Sequence, residues 1–133
     1  MKKQVRSFRN LIAWQRGMEL VRAVYLVTQR MPREERFGLT TQMRRAAVSV
    51  PSNIAEGYAR QSTRDYIKYL RIARGSLAEL STHVDLAMSM EMISLDQHLG
   101  ELIREEERIL QALIKSLESK TMCKQKPLSA SVP

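Results

Sequence analysis

Apolar residues recur every three or four positions along most of this chain, as they do on one face of an α-helix. In the first stretch the apolar positions are Leu11, Trp14, Met18, Val21 and Tyr25. Stretches with this pattern predict four helices, over about residues 8–31, 36–58, 63–90 and 95–118. Because each helix has one apolar face to bury and the connections are short, we expect an all-α, antiparallel up-and-down four-helix bundle over residues 1–118.

A proline, Pro51, falls inside the second predicted helix. A proline in a helix interior removes one backbone hydrogen bond and costs on the order of 3 kcal/mol in an exposed helix. That cost favours a break near residues 49–52, whereas the apolar spacing, which continues across the proline into Ile54, favours one continuous helix kinked at Pro51. The residues alone leave both alternatives open.

The helical pattern stops near Ser119, and residues 119–133 are polar and basic, which predicts a disordered tail. This tail holds the single cysteine, Cys123, so no disulfide can form within one chain. The longest stretch without a charge, residues 46–55, is far shorter than the roughly 20 apolar residues of a membrane span. With no apolar signal segment near the start, the expected location is the cytoplasm.

Charge is distributed unevenly along the 133 residues, whose formal net charge is +8. Residues 1–30 have a net charge of +6, whereas residues 91–118 have a net charge of −4. Clustered basic side chains favour contact with the phosphates of RNA or DNA. The side chains that we expect to make such contacts are Arg6, Arg9, Arg16, Arg22, Lys124 and Lys126. The alternative is that the basic and acidic helices are solvated faces that attract each other.

A stripe of polar residues runs beside the apolar face of the second helix. Its members carry amide, guanidinium, hydroxyl or carboxylate groups, and they are Gln42, Arg45, Ser49, Asn53, Glu56 and Arg60. Ser76 and Glu79 of the third helix can come alongside. Such groups must satisfy one another when they are buried, so we expect a structural hydrogen-bond network at a helix or subunit interface. In it, Arg45 would pair with Glu56 or Glu79; a binding groove is the alternative.

Motifs for catalysis or metal binding do not occur in the sequence. A di-metal carboxylate bundle needs Glu-x-x-His on facing helices. Here Glu79 precedes His83 by four positions, and Asp96 precedes His98 by two. There is also no glycine-rich phosphate loop and no Gly-x-Ser-x-Gly turn. We therefore predict that the protein is not an enzyme and that it needs no metal or cofactor.

Three runs of residues carry a family resemblance over roughly residues 8–118. They are Phe8-x-x-Leu11-x-x-Trp14-Gln15 with Pro32-x-x-Glu35-x-Phe37-Gly38-Leu39-x-x-Gln42, then Arg44-Arg45-Ala46-Ala47-x-Ser49-Val50-Pro51-x-Asn53-Ile54-Ala55-Glu56-Gly57, then Tyr66 with Ile72-Ala73-x-Gly75-Ser76-x-x-Glu79-Leu80. The chain thus resembles the four-helix bundle protein family that is encoded in intervening sequences of bacterial 23S rRNA genes. The family's motif residues map onto Gln42, Arg44, Arg45, Asn53, Glu56, Gly75, Ser76 and Glu79.

The resemblance implies a homo-pentamer with a central channel and no enzymatic activity. It also implies kinship with accessory proteins of diversity-generating retroelements, which bind nucleic acid and a reverse transcriptase. We therefore predict a non-enzymatic, oligomeric bundle protein that binds RNA or DNA through basic surface. The alternative is a protein-interaction scaffold with no direct role for nucleic acid.

Overall fold

The computed structural model describes residues 7–130, and the side chains of residues 7–122. It contains four α-helices in this range: α1 (Ile12–Thr28), α2 (Leu39–Ala59), α3 (Thr63–Ser89) and α4 (Gln97–Ala130). Short 3-10 turns at Phe8–Asn10 and Arg33–Glu35 precede α1 and α2. Residues 7–130 include no β-strand, so the predicted all-α class is confirmed.

The helices form a closed ring in which α1 and α3 each pack against both α2 and α4. Arg44, near the start of α2, donates from Nε to Thr28 Oγ1 at the end of α1, at 2.8 Å. Arg71, near the start of α3, forms an ion pair with Glu118, far along α4. In both pairs, a residue near the start of one helix contacts a residue in the far part of its neighbour. Neighbouring helices are therefore antiparallel. The predicted up-and-down bundle is therefore confirmed.

The core is formed by one face of each helix, although the face of α1 differs from the predicted one. Leu20 and Val24 are fully buried in α1, whereas Tyr25 is 41% exposed. Small residues at Ala13 and Gly17 complete the buried face. The large apolar residues of α1 from which the face was predicted each follow a buried position by one residue. The predicted face of α1 is therefore shifted by one residue towards the C-terminus.

Helix α2 is continuous through Pro51, and the alternative break does not occur. The proline ring is buried, and it packs where Gly17 of α1 leaves room. A Cβ on Gly17 would lie 3.2 Å from Cβ of Pro51. Close packing around the ring offsets the backbone hydrogen bond that the proline cannot donate.

The ends of two helices differ from the prediction. Helix α1 begins at Ile12 rather than near residue 8, because the Ser7 hydroxyl accepts from the Arg9 amide and caps the preceding 3-10 turn. Helix α4 continues to Ala130, through most of the segment for which we predicted disorder. Residues 119–126 contain no glycine or proline to end a helix, and lysine and glutamine favour helix.

Three of the predicted phosphate contacts cannot be evaluated. Arg6 lies outside the described residues, as do the side chains of Lys124 and Lys126. Over the described part of the chain, no helix combines the length and the apolar character that crossing a membrane requires.

Candidate nucleic-acid interface

Helix α1 does not present the row of free cations that the sequence suggested. Arg16 is neutralised by two carboxylates, with Nη1 at 3.0 Å from Oε1 of Glu19 and Nε at 3.4 Å from Oε1 of Glu105. The Arg9 guanidinium lies over the Phe8 ring, 4.5 Å from its centroid. Arg22 is exposed and forms no ion pair within the described part of the chain. Among the predicted side chains that the structure describes, Arg9 and Arg22 are therefore placed to meet an anion.

A basic groove runs between the exposed faces of α3 and α4, and we call it the α3–α4 groove. The basic side chains that line it are Arg71, Arg74, Arg104, Arg108 and Lys115. Glu107 and Glu118 are the acidic lining residues, so the lining has a net charge of +3. The groove consists of three adjoining hollows, of which the most spacious has a volume of about 620 Å³.

Three basic residues of α4 share one face because of their spacing. Arg104, Arg108 and Lys115 are separated by four and then seven positions. At 100° per residue these positions fall within about 40° of one another, and at 1.5 Å per residue they span about 16 Å. All three side chains are exposed, and none forms an ion pair within the described residues. They are therefore available to a ligand.

The two α3 arginines of the groove are held by ion pairs that bridge to α4. Arg74 donates from Nε to Glu107 Oε2 at 2.7 Å, and Arg71 pairs with Glu118. Because these side chains are 37% to 59% exposed, each pair contributes little stability, about 1 kcal/mol or less. The bridges do fix the two guanidinium groups along the α3 side of the groove.

The groove could not be seen in the sequence because net charge was summed over whole segments. Residues 91–118, which include most of α4, are acidic as a whole, but the acidic and basic side chains lie on different faces of the helix. Glu105 contacts α1 through Arg16, and Glu106 lies in the interior, whereas Arg104 and Arg108 face α3. Counting charge by helical position rather than by segment would have identified the basic face.

The polar stripe is only partly brought together. The Ser49 and Ser76 hydroxyl oxygens are 2.8 Å apart, and Asn53 donates from Nδ2 to Ser49 Oγ at 2.9 Å and to its carbonyl oxygen at 2.8 Å. These three residues are half-buried between α2 and α3. Gln42 and Arg45 are exposed and take no part in these hydrogen bonds.

The predicted pairing of Arg45 with an acidic residue is wrong within the described structure. Glu56 accepts instead from Arg60 Nη2 at 3.1 Å, and Glu79 Oε2 lies 3.7 Å from His83 Nε2. Arg60 is one helical turn from Glu56, whereas Arg45 is three turns away on the same helix, about 16 Å along its axis. The nearer cation therefore takes the carboxylate.

One further residue, Glu106, was missed by the sequence analysis because a charged residue was assumed to face solvent. Its side chain is fully buried, and neither carboxyl oxygen has a hydrogen-bond partner in the described structure. Burial, with a smaller contribution from the Glu105 charge, raises its pKa to about 8, against the opposing effect of Arg16. It occupies the core position between Leu102 and Leu110, and that gap in the apolar series was the available signal.

Metal-binding chemistry finds no support in the described side chains, among which no three His, Cys, Asp or Glu residues cluster as metal ligands. The molecule is thus an all-α four-helix bundle with a basic groove on one side. The sequence profile of the family described as 23S rRNA-intervening sequence protein matches residues 9–115, and the chain belongs to that family.

Solved structures with the same fold include one of a protein with unknown function from the S23 ribosomal protein family of Bacteroides thetaiotaomicron VPI-5482. The two chains are 23% identical and superpose with a TM-score of 0.72, over 78% of this chain and 96% of that one. No curated protein matches this chain.

Proposed function

We propose that this protein is a non-enzymatic, homo-oligomeric bundle protein that binds the phosphates of RNA or DNA through the α3–α4 groove. The observation that carries the proposal is the row of three unpaired cations, Arg104, Arg108 and Lys115, on one face of α4. A guanidinium group binds two phosphate oxygens with its planar fork, and neutralising phosphates releases counterions. The family's description connects it with 23S rRNA, and a cytoplasmic location fits that connection.

The oligomeric part of the proposal rests on the family resemblance and on one exposed face. On the outside of α2 and α3, Val48 and Ile72 are 41% and 42% exposed. These exposed apolar side chains suit the packing of a second copy. Analytical ultracentrifugation should show one discrete oligomer, with a pentamer as the expected species; a monomer at all concentrations would refute this part.

Titrations of fluorescence anisotropy with a labelled, structured RNA test the groove directly. Binding should weaken steeply between 50 and 200 mM salt, by roughly tenfold for each two phosphates contacted. The double variant Arg104→Gln/Arg108→Gln should bind at least about tenfold more weakly, because two charge-assisted contacts are lost.

The double variant Arg9→Gln/Arg22→Gln removes the same charge from α1 and the 3-10 turn before it, and tests two of the contacts that the sequence predicted. We expect it to weaken binding only about two- to threefold, through the lower net charge alone. If the α1 variant lost more affinity than the groove variant, the basic end of α1 would be the interface. If wild-type protein bound neither RNA nor DNA at 50 mM salt, the proposal would fail.

A scaffold function, in which the basic surface docks an acidic protein, gives a different result after nuclease treatment. Partners that reach the groove through nucleic acid should be lost from a pull-down when nuclease is added. A reverse transcriptase, the partner that the family kinship implies, should be tested in the same experiment. A partner that survives nuclease but not the groove variant would favour the scaffold.

A further inference from the structure

The chemistry of the α3–α4 groove points to a particular class of nucleic acid. We propose that the groove binds double-helical nucleic acid by its sugar–phosphate backbone, in preference to single strands. This inference rests on the proposed function, since it specifies the ligand of the same site. It follows from what lines the groove, from how its cations are arranged, and from where its carboxylates lie.

The lining lacks the side chains that single-strand binding requires. Proteins that bind single strands stack successive bases on aromatic rings, at about 1–3 kcal/mol per base. No described residue that lines the groove is aromatic; the floor and walls are aliphatic, with Leu77, Ala78 and Ile114 among them. Elsewhere in the described structure, the Phe8 ring packs on Trp14 with centroids 5.5 Å apart, and the exposed Phe37 ring lies beside Arg36, away from the groove.

Base edges also find few partners in the groove. Gln111 is the amide among the lining residues, and the other polar lining groups are charged side chains and the Ser81 hydroxyl. Arginines and lysines without aromatic or amide neighbours contact phosphates and fix position, but they do not identify bases. The lining therefore favours binding to the sugar–phosphate backbone of a nucleic acid, whatever its base sequence.

The arrangement of the cations suits a rigid, regularly charged ligand. Arg104, Arg108 and Lys115 form a nearly straight row about 16 Å long on a single helix. Each strand of a duplex holds its phosphates at a fixed, regular spacing, so a straight row of cations faces a short run of consecutive phosphates. A duplex presents those phosphates already ordered, whereas a flexible strand must lose conformational entropy to match the row.

The positions of the two groove carboxylates disfavour a ligand that is narrow enough to enter the groove, such as a single strand. Glu107 and Glu118 bridge to α3 across the groove, and they are 37% and 42% exposed. A single strand that enters the groove would bring its phosphates against these carboxylates. A duplex is too broad to enter, so it would rest across the mouth of the groove, on the exposed α4 row that forms one of its rims. Repulsion thus disfavours the single strand at this site.

A competition experiment tests the inference with the full-length protein. A labelled 20-base-pair RNA duplex of mixed sequence is displaced by the same duplex, by the equivalent DNA duplex, and by either unpaired strand. We expect the duplex to compete at least about tenfold better than an unpaired strand, and a scrambled duplex to compete equally well. The RNA and DNA arms show whether the 2′-hydroxyl contributes.

Matched single variants assign the effect to the groove. Arg108→Gln should lower duplex affinity about tenfold, while Arg33→Gln, an exposed cation of the α1–α2 connection, should lower it less than about twofold. Equal or tighter binding of a single strand, lost in the Arg108 variant, would overturn the duplex inference and leave the proposed function standing. Failure of every one of these oligonucleotides to bind at 50 mM salt would refute both.

Discussion

The buried carboxyl of Glu106 makes the stability of this bundle depend on pH in an unusual direction. Its pKa is raised from the ordinary value of 4.5 to about 8 in the folded protein. Below pH 4.5 the group is protonated in both the folded and the unfolded chain, and it has no pH-dependent effect. Between pH 4.5 and 8 only the unfolded chain releases the proton, so the free energy of unfolding falls as the pH rises.

The size of the effect follows from the two pKa values. A tenfold change in proton affinity corresponds to about 1.4 kcal/mol. Raising the pH through the whole interval therefore removes up to roughly 5 kcal/mol of stability, a large share of the 5–15 kcal/mol that holds a typical domain folded. Above pH 8 the group is ionised in both states, and the loss stops.

The variant Glu106→Gln tests this directly, because the amide has the size of the neutral acid and cannot ionise. Near pH 5 the variant should unfold at nearly the same urea concentration as wild type, and at pH 8 it should be several kcal/mol more stable. Urea unfolding followed by circular dichroism at pH 5, 6, 7 and 8, at one fixed protein concentration, measures the difference.

Glu105→Gln is the matched control, since Glu105 is the neighbouring carboxylate and lies partly in solvent, paired with Arg16. That variant should keep most of the wild-type fall in stability with pH, because burial is the larger cause of the raised Glu106 pKa and the Glu105 charge is the smaller one. If wild type and Glu106→Gln instead gave parallel curves from pH 5 to 8, the interior carboxyl would not be titrating as argued.

Three further predictions concern the groove and the packing of the helices. Glu107→Gln frees Arg74 for phosphate and should tighten duplex binding about two- to fivefold, while thermal denaturation shows a loss of about 1 kcal/mol or less; unchanged or weaker binding would contradict a groove ligand. Gly17→Ala places a Cβ 3.1 Å from a buried carboxyl oxygen and should lower the free energy of unfolding in urea by about 1–3 kcal/mol. The Cβ of Gly75→Ala meets nothing within one chain, so this control variant should raise the free energy of unfolding by up to about 1 kcal/mol unless a second copy covers the position. Ser49→Ala removes the hydroxyl shared by two hydrogen-bond partners and should cost about 1–2 kcal/mol; no loss would show that the network contributes nothing.

The fold was predictable because each helix has a periodic apolar face that can be buried in only one way. The exact buried face of α1 was not predictable, because its contact with α2 depends on the absence of a side chain at Gly17. A prediction based on large apolar residues does not detect buried positions that are occupied by small residues. The residues around Pro51 left a break and a continuous helix open, and the structure shows the continuous helix, which the apolar spacing on both sides of the proline had favoured.

The candidate site was less accessible to the sequence than the fold. Net charge along a segment directed attention to α1, where Arg16 proves to be neutralised by Glu105 from another helix. Pairing between helices depends on which faces meet, and only the three-dimensional arrangement shows that. The same is true of Arg74 and Glu107, which are 33 positions apart in sequence and in contact across the groove.

Because α1 packs against α4 as well as against α2, the start of α1 and the far part of α4 lie at the same end of the bundle. A circular permutant opened in the connection between Met90 and Asp96, with a flexible linker across the original ends, would keep every packed helix pair. The packing contacts between the helices therefore do not require the order in which the helices are synthesised.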